Sequence, residues 1–352
     1  MLQPAENFLK KIGVTQPIFL APMAGTSTPE LAAAVSNAGG LGSLGLATSS
    51  VEQARQAIQH TRQLTDKPFN CNFFCHQPPI RDPETERAWI DYIAPFFQQF
   101  GATPPQELKS VNSTFIDDQA MLDMLLAEKP AVVSFHFGVP KASVIEQLKQ
   151  AGIVLMASAT SLPEAQIIAE AGLDAIIAQG VEAGGHRGIF NRAYDPAIST
   201  HDLVCLFKAH VDLPIIAAGG LMNGQDIKNV LQLGACAGQL GTAFVICPES
   251  AASSTYRERL LNPDYQITQI TDSISGRPAR GLINAWHQYI DRPERPVLTS
   301  YSYTYDLAKQ LSKLAIQHGN YDFAAFWAGS NVSRIRNIDA SHLMQTLIAE
   351  LA

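Results

Sequence analysis

Residues 214–220 read Pro214-Ile215-Ile216-Ala217-Ala218-Gly219-Gly220, and residues 237–242 read Ala237-Gly238-Gln239-Leu240-Gly241-Thr242. Each is a short apolar run closed by glycine, the pattern of a buried parallel strand. A helix-patterned segment ending at Leu233 separates them, so together they form a strand–helix–strand unit. The same alternation runs upstream, with strand candidates at Pro17–Ala21, Leu41–Leu46, Pro68–Phe74, Ala131–Phe137, Ile153–Ala157 and Asp174–Gln179. Helical stretches fall between them. The one from Pro29 to Ala38 starts well, with Thr28 as N-cap and Pro29 in the first turn. With 214–218 and 237–244 the strands number eight, which predicts an α/β fold, a (β/α)8 TIM barrel. The alternative, an open doubly wound sheet, calls for a GxGxxG turn after the first strand. Ala24-Gly25-Thr26-Ser27 does not provide one.

Outside that alternation lie two segments. A proline-rich insertion follows the third strand, about residues 76–130, with helical patterns near 84–100 and 117–128. Residues 251–352 are expected to be a helical C-terminal extension packing over residues 1–250 as part of the same structural unit. The composition, 46% apolar and 16% charged, is that of a globular chain. Net charge is −7 and the basic residues are scattered, which argues against a nucleic-acid surface. Five cysteines without framework spacing point to a reducing compartment. The opening MLQPAENFLKKIGV has no leader pattern, and no apolar run nears the ~18 residues of a membrane span. A cytoplasmic protein without a membrane partner is expected.

In a barrel, function sits at the C-terminal ends of the strands. The seventh strand ends in Gly219-Gly220 and the eighth in Gln239-Leu240-Gly241-Thr242. Glycines there let backbone N–H groups approach an anion, and the seven/eight position is a recurrent phosphate site. The sixth strand runs into Gln179-Gly-Val-Glu-Ala-Gly-Gly-His-Arg-Gly188, where four glycines surround His186 and Arg187. Such a loop either folds over a ligand and presents His186 for proton transfer, or is a flexible surface loop with a solvated His-Arg pair. Glu182 is the nearby acid that could orient the imidazole. His136, on Ser134-Phe-His136, sits at a strand end and is either a site residue or a satisfied core histidine. Asn70 and Asn72 share a strand face and need partners inside the barrel. Pro22-Met23-Ala24 can lie along a flat ring, with Met23 as a soft contact or as plain core. Tyr301, Tyr305 and Lys309 recur at four-residue spacing and form one face if that stretch is helical. Cys71-Cys75-His76 lacks the geometry and the second pair of a zinc site, so no metal is expected. Cys205, Cys236 and Cys247 read as small buried hydrophobes.

The motifs PIFLAPMAGTSTPELAAAVSNAGGLGSLG, FNCNFFCH, VVSFHFG, QGVEAGGHRG, PIIAAGGLMNG and GACAGQLGTAF resemble, in order, those of the nitronate monooxygenases. YSYTYDLAK and FWAGS resemble the C-terminal part of the class I branch. The resemblance implies an enzyme that uses FMN and molecular oxygen to oxidise alkyl nitronates, such as propionate 3-nitronate, to a carbonyl product and nitrite, a detoxification. It implies His186 as the catalytic residue. It implies FMN contacts at Pro22, Met23, Ala24, Asn70 or Asn72, Gln179, Gly184, Gly185, Gly219, Gly220, Gln239, Leu240, Gly241 and Thr242. His136, Tyr301, Tyr305 and Lys309 match positions that face the substrate. Two departures stand out: no Tyr occurs in 100–116, and Ser330 follows the WAG motif where a Gln is common. The small-molecule nitronate and oxygen are the expected partners, and a monomer or weak homodimer the expected assembly. Two rivals share the scaffold: a flavin-dependent NAD(P)H enoyl-acyl-carrier-protein reductase and a non-catalytic flavin-binding protein. A metal-dependent barrel hydrolase is a third.

Overall fold

A computed structural model of the chain describes residues 4–352. Met1–Gln3, the start of the stretch read above for a leader, lie outside it. The strands are β1 (Ile18–Leu20), β2 (Gly42–Gly45), β3 (Phe69–Phe74), β4 (Val132–His136), β5 (Val154–Ala159), β6 (Ala175–Gln179), β7 (Gly185–His186), β8 (Ile215–Ala218), β9 (Ala237–Leu240), β10 (Thr268–Thr271) and β11 (Ala279–Leu282). Eight of them form one sheet in the order β1-β9-β8-β6-β5-β4-β3-β2. Every pair in it is parallel. A bridge between Phe19 and Leu41 brings β1 against β2 and closes the ring. The expected (β/α)8 barrel is therefore present.

Strand periodicity sorts the side chains. On β4, Val133 and Phe135 face the helices and join the large outer core. Val132 points inward, where it meets Phe19, Leu41, Val154, Met156, Ile177 and Ile216. Phe8, Ile12 and Val14, from the helix Pro4–Lys11 and the turn after it, pack into the same inner cluster and plug the bottom of the barrel. The helices between strands begin as the sequence suggests. Thr28 accepts a hydrogen bond from the Leu31 amide with Pro29 in the first turn, and Ser50 and Gln53 form a reciprocal capping box.

The insertion contributes the helix Pro83–Gln98, capped by Asp82. Its Trp89, Ile90, Ile93 and Phe97 pack against Trp286, Ile290, Leu307, Leu311 and Phe323 of the C-terminal region, forming a second core apart from the barrel's. Each such side chain stabilises by about 1.5–3 kcal/mol when fully buried. The region beyond residue 250 is less helical than its sequence suggests. β10 and β11 form an antiparallel hairpin, and β7 joins its edge. The alternation there is short and half-exposed, so it carries little period-2 signal.

Candidate active site

Near the top of the barrel the inward-facing residues of β3, β4, β5, β6, β8 and β9 include Asn72, His136, Ser158, Gln179, Ala218 and Gln239. All six line one cavity of about 390 Å³ at the C-terminal end of the barrel. The period of two that buries Val132 and Met156 lower down delivers these residues, all polar but Ala218, to the top. Among the described residues no Asp or Glu lines the cavity, and Lys309 is its one lysine or arginine.

One side of the cavity is built from backbone. Gly219 and Gly220 hold φ of +128° and +72°, values that side-chain-bearing residues rarely adopt. A Cβ at Gly219 would meet Thr200 Oγ1 at 2.6 Å, and one at Gly220 would crowd Glu182 Cβ at 3.1 Å. The helix Gly224–Gln232 follows, started by an Asn223–Asp226 capping box, with its Gly224 amide donating to Glu350 at 2.8 Å. The segment 329–331 fastens the two glycine turns together. The Gly329 amide donates to Thr242 Oγ1 at 2.9 Å, and Asn331 Nδ2 donates to the Gly220 carbonyl at 2.7 Å. Gly184 allows the Ala328–Gly329 backbone to pass close by, because a Cβ there would meet it at 2.5 Å.

The other side is built from side chains. β7 pairs with β11 and sets His186 opposite Ala279. The His186 ring lies among Phe137, Tyr301, Tyr305 and Trp327, at 5.8, 5.8, 5.9 and 5.3 Å between centroids. Its Nε2 lies 2.8 Å from Ser275 Oγ. Burial, with His136, Arg277 and Lys309 nearby, lowers its pKa to about 3, so the imidazole is neutral at physiological pH. His136 is likewise lowered to about 4, chiefly by burial. Its Nε2 lies 3.1 Å from the His186 carbonyl. A carbonyl only accepts, so His136 carries its proton on Nε2 and donates there. Gln179 Nε2 donates to the same oxygen at 3.0 Å. Both residues thus hold the backbone of His186.

Tyr301 is buried, and its hydroxyl accepts from Asn112 Nδ2 at 2.7 Å. Tyr301 therefore keeps its own O–H proton to give. Burial raises the pKa of the Tyr305 phenol, so it too keeps its proton. Lys309 stands at the exposed rim with its ammonium 4.5 Å from the Tyr305 ring centroid. Donors thus converge on a cavity without acids, an arrangement suited to an anion.

The predicted site residues divide as follows. Pro22, Met23, Ala24, Asn72, His136, Gln179, Gly184, Gly185, His186, Gly219, Gly220, Gln239, Gly241, Thr242, Tyr301, Tyr305 and Lys309 line the cavity. Asn70 and Leu240 do not. Asn70 sits a layer lower, where its Nδ2 donates to Ser43 Oγ and Ser134 Oγ at 3.2 and 2.9 Å. Leu240 follows inward-facing Gln239, so alternation sends its side chain to the outer core. Glu182 does not orient His186; its carboxylate accepts from Thr200 N and Oγ1, both at 2.9 Å. Arg187 is no solvated partner either, being fully buried and paired with Asp195 at 2.8 Å. Tyr301 precedes the helix Tyr303–Gln317, so the four-residue spacing is only partly helical. Cys236 and Cys247 are buried, but Cys205 is exposed. No metal-holding group of His, Cys, Asp or Glu occurs among the described residues. Among them no helix is long and apolar enough to cross a membrane. Asn112, Ser275 and Trp327 were not singled out from sequence. Trp327 lay within the quoted FWAGS motif, and the other two carry no local signal.

The nitronate monooxygenase family model matches residues 6–351. A nitronate monooxygenase of Pseudomonas aeruginosa is 49% identical over 347 residues, covering 98% of this chain and 99% of that protein. Among solved structures, nitroalkane oxidase from Streptomyces ansochromogenes superposes with a TM-score of 0.88 at 36% identity, covering 97% of each chain. FabK from Thermotoga maritima superposes with a TM-score of 0.73 at 27% identity, covering 98% of this chain and 95% of that one.

Proposed function

The chain belongs to the nitronate monooxygenase family and is an enzyme, and from that premise we propose that it oxidises alkyl nitronates, such as propionate 3-nitronate, with FMN and molecular oxygen. The products are a carbonyl compound and nitrite, and the role is detoxification. The observation that carries this reading is the two-sided, acid-free cavity, with a glycine cradle facing a wall of histidine and tyrosine.

The residues present fit FMN. Gly219, Gly220, Gln239, Gly241 and Thr242 would hold its phosphate, since side chains are excluded at the first two. The Pro22–Ala24 turn, Asn72, Gln179, Gly184 and Gly185 would flank its ring. FMN bound there would supply the redox chemistry between substrate and oxygen. The chain's own residues do the rest. Tyr301 and Tyr305 donate their hydroxyl protons to the anionic nitro group, and Lys309 attracts it from the rim. His186 works beside them as a neutral imidazole and accepts a proton when the substrate arrives as the neutral nitroalkane. The aromatic rings around it exclude water. A cytoplasmic enzyme acting as a monomer or weak homodimer completes the proposal.

The test is direct. Purified protein is expected to be yellow, with a flavin spectrum that bleaches anaerobically on adding propionate 3-nitronate and with nitrite released in air. Rapid bleaching by NADPH, with none by the nitronate, would instead establish the reductase chemistry. Bound flavin with no nitronate-dependent oxygen uptake would leave only a carrier.

A further inference from the structure

We propose that Ser275 is a positioning residue that fixes the single proton of His186 on Nε2 and thereby turns a bare Nδ1 toward the cavity. Ser275 is fully buried in the loop joining β10 to β11. That loop is clamped around His186. The pairing of β7 with β11 holds one side, and the Arg187 amide donates to the Pro278 carbonyl at 2.8 Å. Arg277 Nη1 donates to the Ile189 carbonyl, also at 2.8 Å.

Counting protons at the Ser275 hydroxyl fixes the tautomer. The oxygen lies 2.8 Å from His186 Nε2, 3.1 Å from the Arg277 carbonyl oxygen and 3.3 Å from the Arg277 amide nitrogen. A hydroxyl has one proton to give and two lone pairs to receive with. The Arg277 N–H fills one lone pair. The Arg277 carbonyl can only accept, so it takes the proton. One lone pair remains for His186, and Nε2 must therefore be the N–H. Turning the hydroxyl toward the ring would strip the Arg277 carbonyl of that donor, an arrangement folded proteins avoid.

The remaining imidazole nitrogen follows from charge. The groups that face His186 are His136, Arg277 and Lys309, with the Tyr301 and Tyr305 rings; no carboxylate stands among them. Burial and the Arg277 and Lys309 cations keep the ring neutral, so it holds one proton, already placed on Nε2. Nδ1 is not among the enclosed, unpartnered atoms, and His186 lines the cavity, so its lone pair opens there.

The chemical consequence rests on the oxidation proposed above. A neutral nitroalkane needs an acceptor for its carbon-bound proton. The C–H bond breaks, its electron pair stays on the substrate as the nitronate, and the proton forms N–H at Nδ1. The cation so formed keeps its Nε2–H on Ser275. A preformed nitronate skips this step.

The experiment uses holoprotein labelled with 15N-histidine, the His186 signals being identified by their loss in His186→Asn. The expected spectrum has a protonated Nε2 and a bare Nδ1 in the wild type, mixed tautomers in Ser275→Ala and the wild-type pattern in Ser275→Thr. In turnover, Ser275→Ala should lose at least about tenfold in kcat on nitroethane. Its loss on preformed ethyl nitronate should be several-fold smaller, KM should change little, and Ser275→Thr should recover most of the rate. A proton on Nδ1 in the wild type, an unchanged tautomer in Ser275→Ala, or equal losses on both substrates would overturn the proposal. Should neither compound be oxidised while the tautomer still shifts in Ser275→Ala, the reaction assignment fails and the positioning role stands.

Discussion

The two sides of the cavity are made of different material. The glycine side presents main chain: Gly219, Gly220, Gly184 and Gly241, held by short contacts to Thr200, Asn331 and the 328–329 backbone. The opposite side presents rings and hydroxyls whose orientation depends on a second set of residues. Asn112 turns Tyr301, and Ser275, His136 and Gln179 hold His186. A backbone cradle works by leaving atoms out, so one added methyl group can abolish it. A side-chain wall works through chains of hydrogen bonds, so its parts fail by degrees.

Substitutions can break or sharpen that contrast. Gly220→Val adds a branched Cβ at a φ of +72°, where Glu182 and Asn331 already stand close. It should give folded, colourless protein, checked by circular dichroism and the flavin-to-protein ratio; stoichiometric flavin in the variant would place the phosphate elsewhere. His186→Asn should keep its flavin and lose about 100-fold in turnover of nitroethane. Unchanged kinetics would remove His186 from the chemistry. Asn112→Ala removes one neutral hydrogen bond to the Tyr301 hydroxyl, worth about 1 kcal/mol, so kcat/KM should fall about fivefold with flavin content unaltered. A loss of flavin instead would mean that the two sides are not independent.

Acid should weaken the side-chain wall. His76, His136 and His186 all have folded pKa values held low by burial, at about 4, 4 and 3. In the unfolded chain they titrate near 6.5, so the unfolded state binds more protons as pH falls below that value. Stability contributed by their neutral forms is complete above about pH 6.5 and declines as pH drops toward 4. The melting temperature should fall across that window, and His136→Gln should flatten the slope. An unchanged slope would show that His136 carries none of it.

The same contrast explains what the sequence disclosed. The barrel strands are local apolar runs, and the glycine turns are local motifs at their ends, so 214–220 and 237–242 sufficed to suggest a phosphate site. The wall is non-local. β7 spans only Gly185–His186 and exists because Ala279 and Arg280 pair with it from a distant hairpin. Asn112 sits in an irregular segment and gains its role only where Tyr301 reaches it. Ser275 reads as an ordinary loop serine until β11 brings it under His186. Glu182 is the acid nearest that imidazole in sequence, yet the turn directs it to Thr200. Leu240 was placed with the ligand because it lies inside a motif, while strand alternation turns its side chain outward.

The second core, where Trp89 and Phe97 of the insertion meet Trp286 and Leu311, has a bearing on how this molecule can change over time. The helix Tyr303–Gln317 reaches that core through Leu307 and Leu311 and offers Tyr305 to the cavity from another face. Mutations that repack the core would therefore shift Tyr305 and its neighbours while the barrel's own core and the glycine cradle stay intact. Descendants of this chain can drift in the compounds they accept without first surrendering the cofactor or the fold.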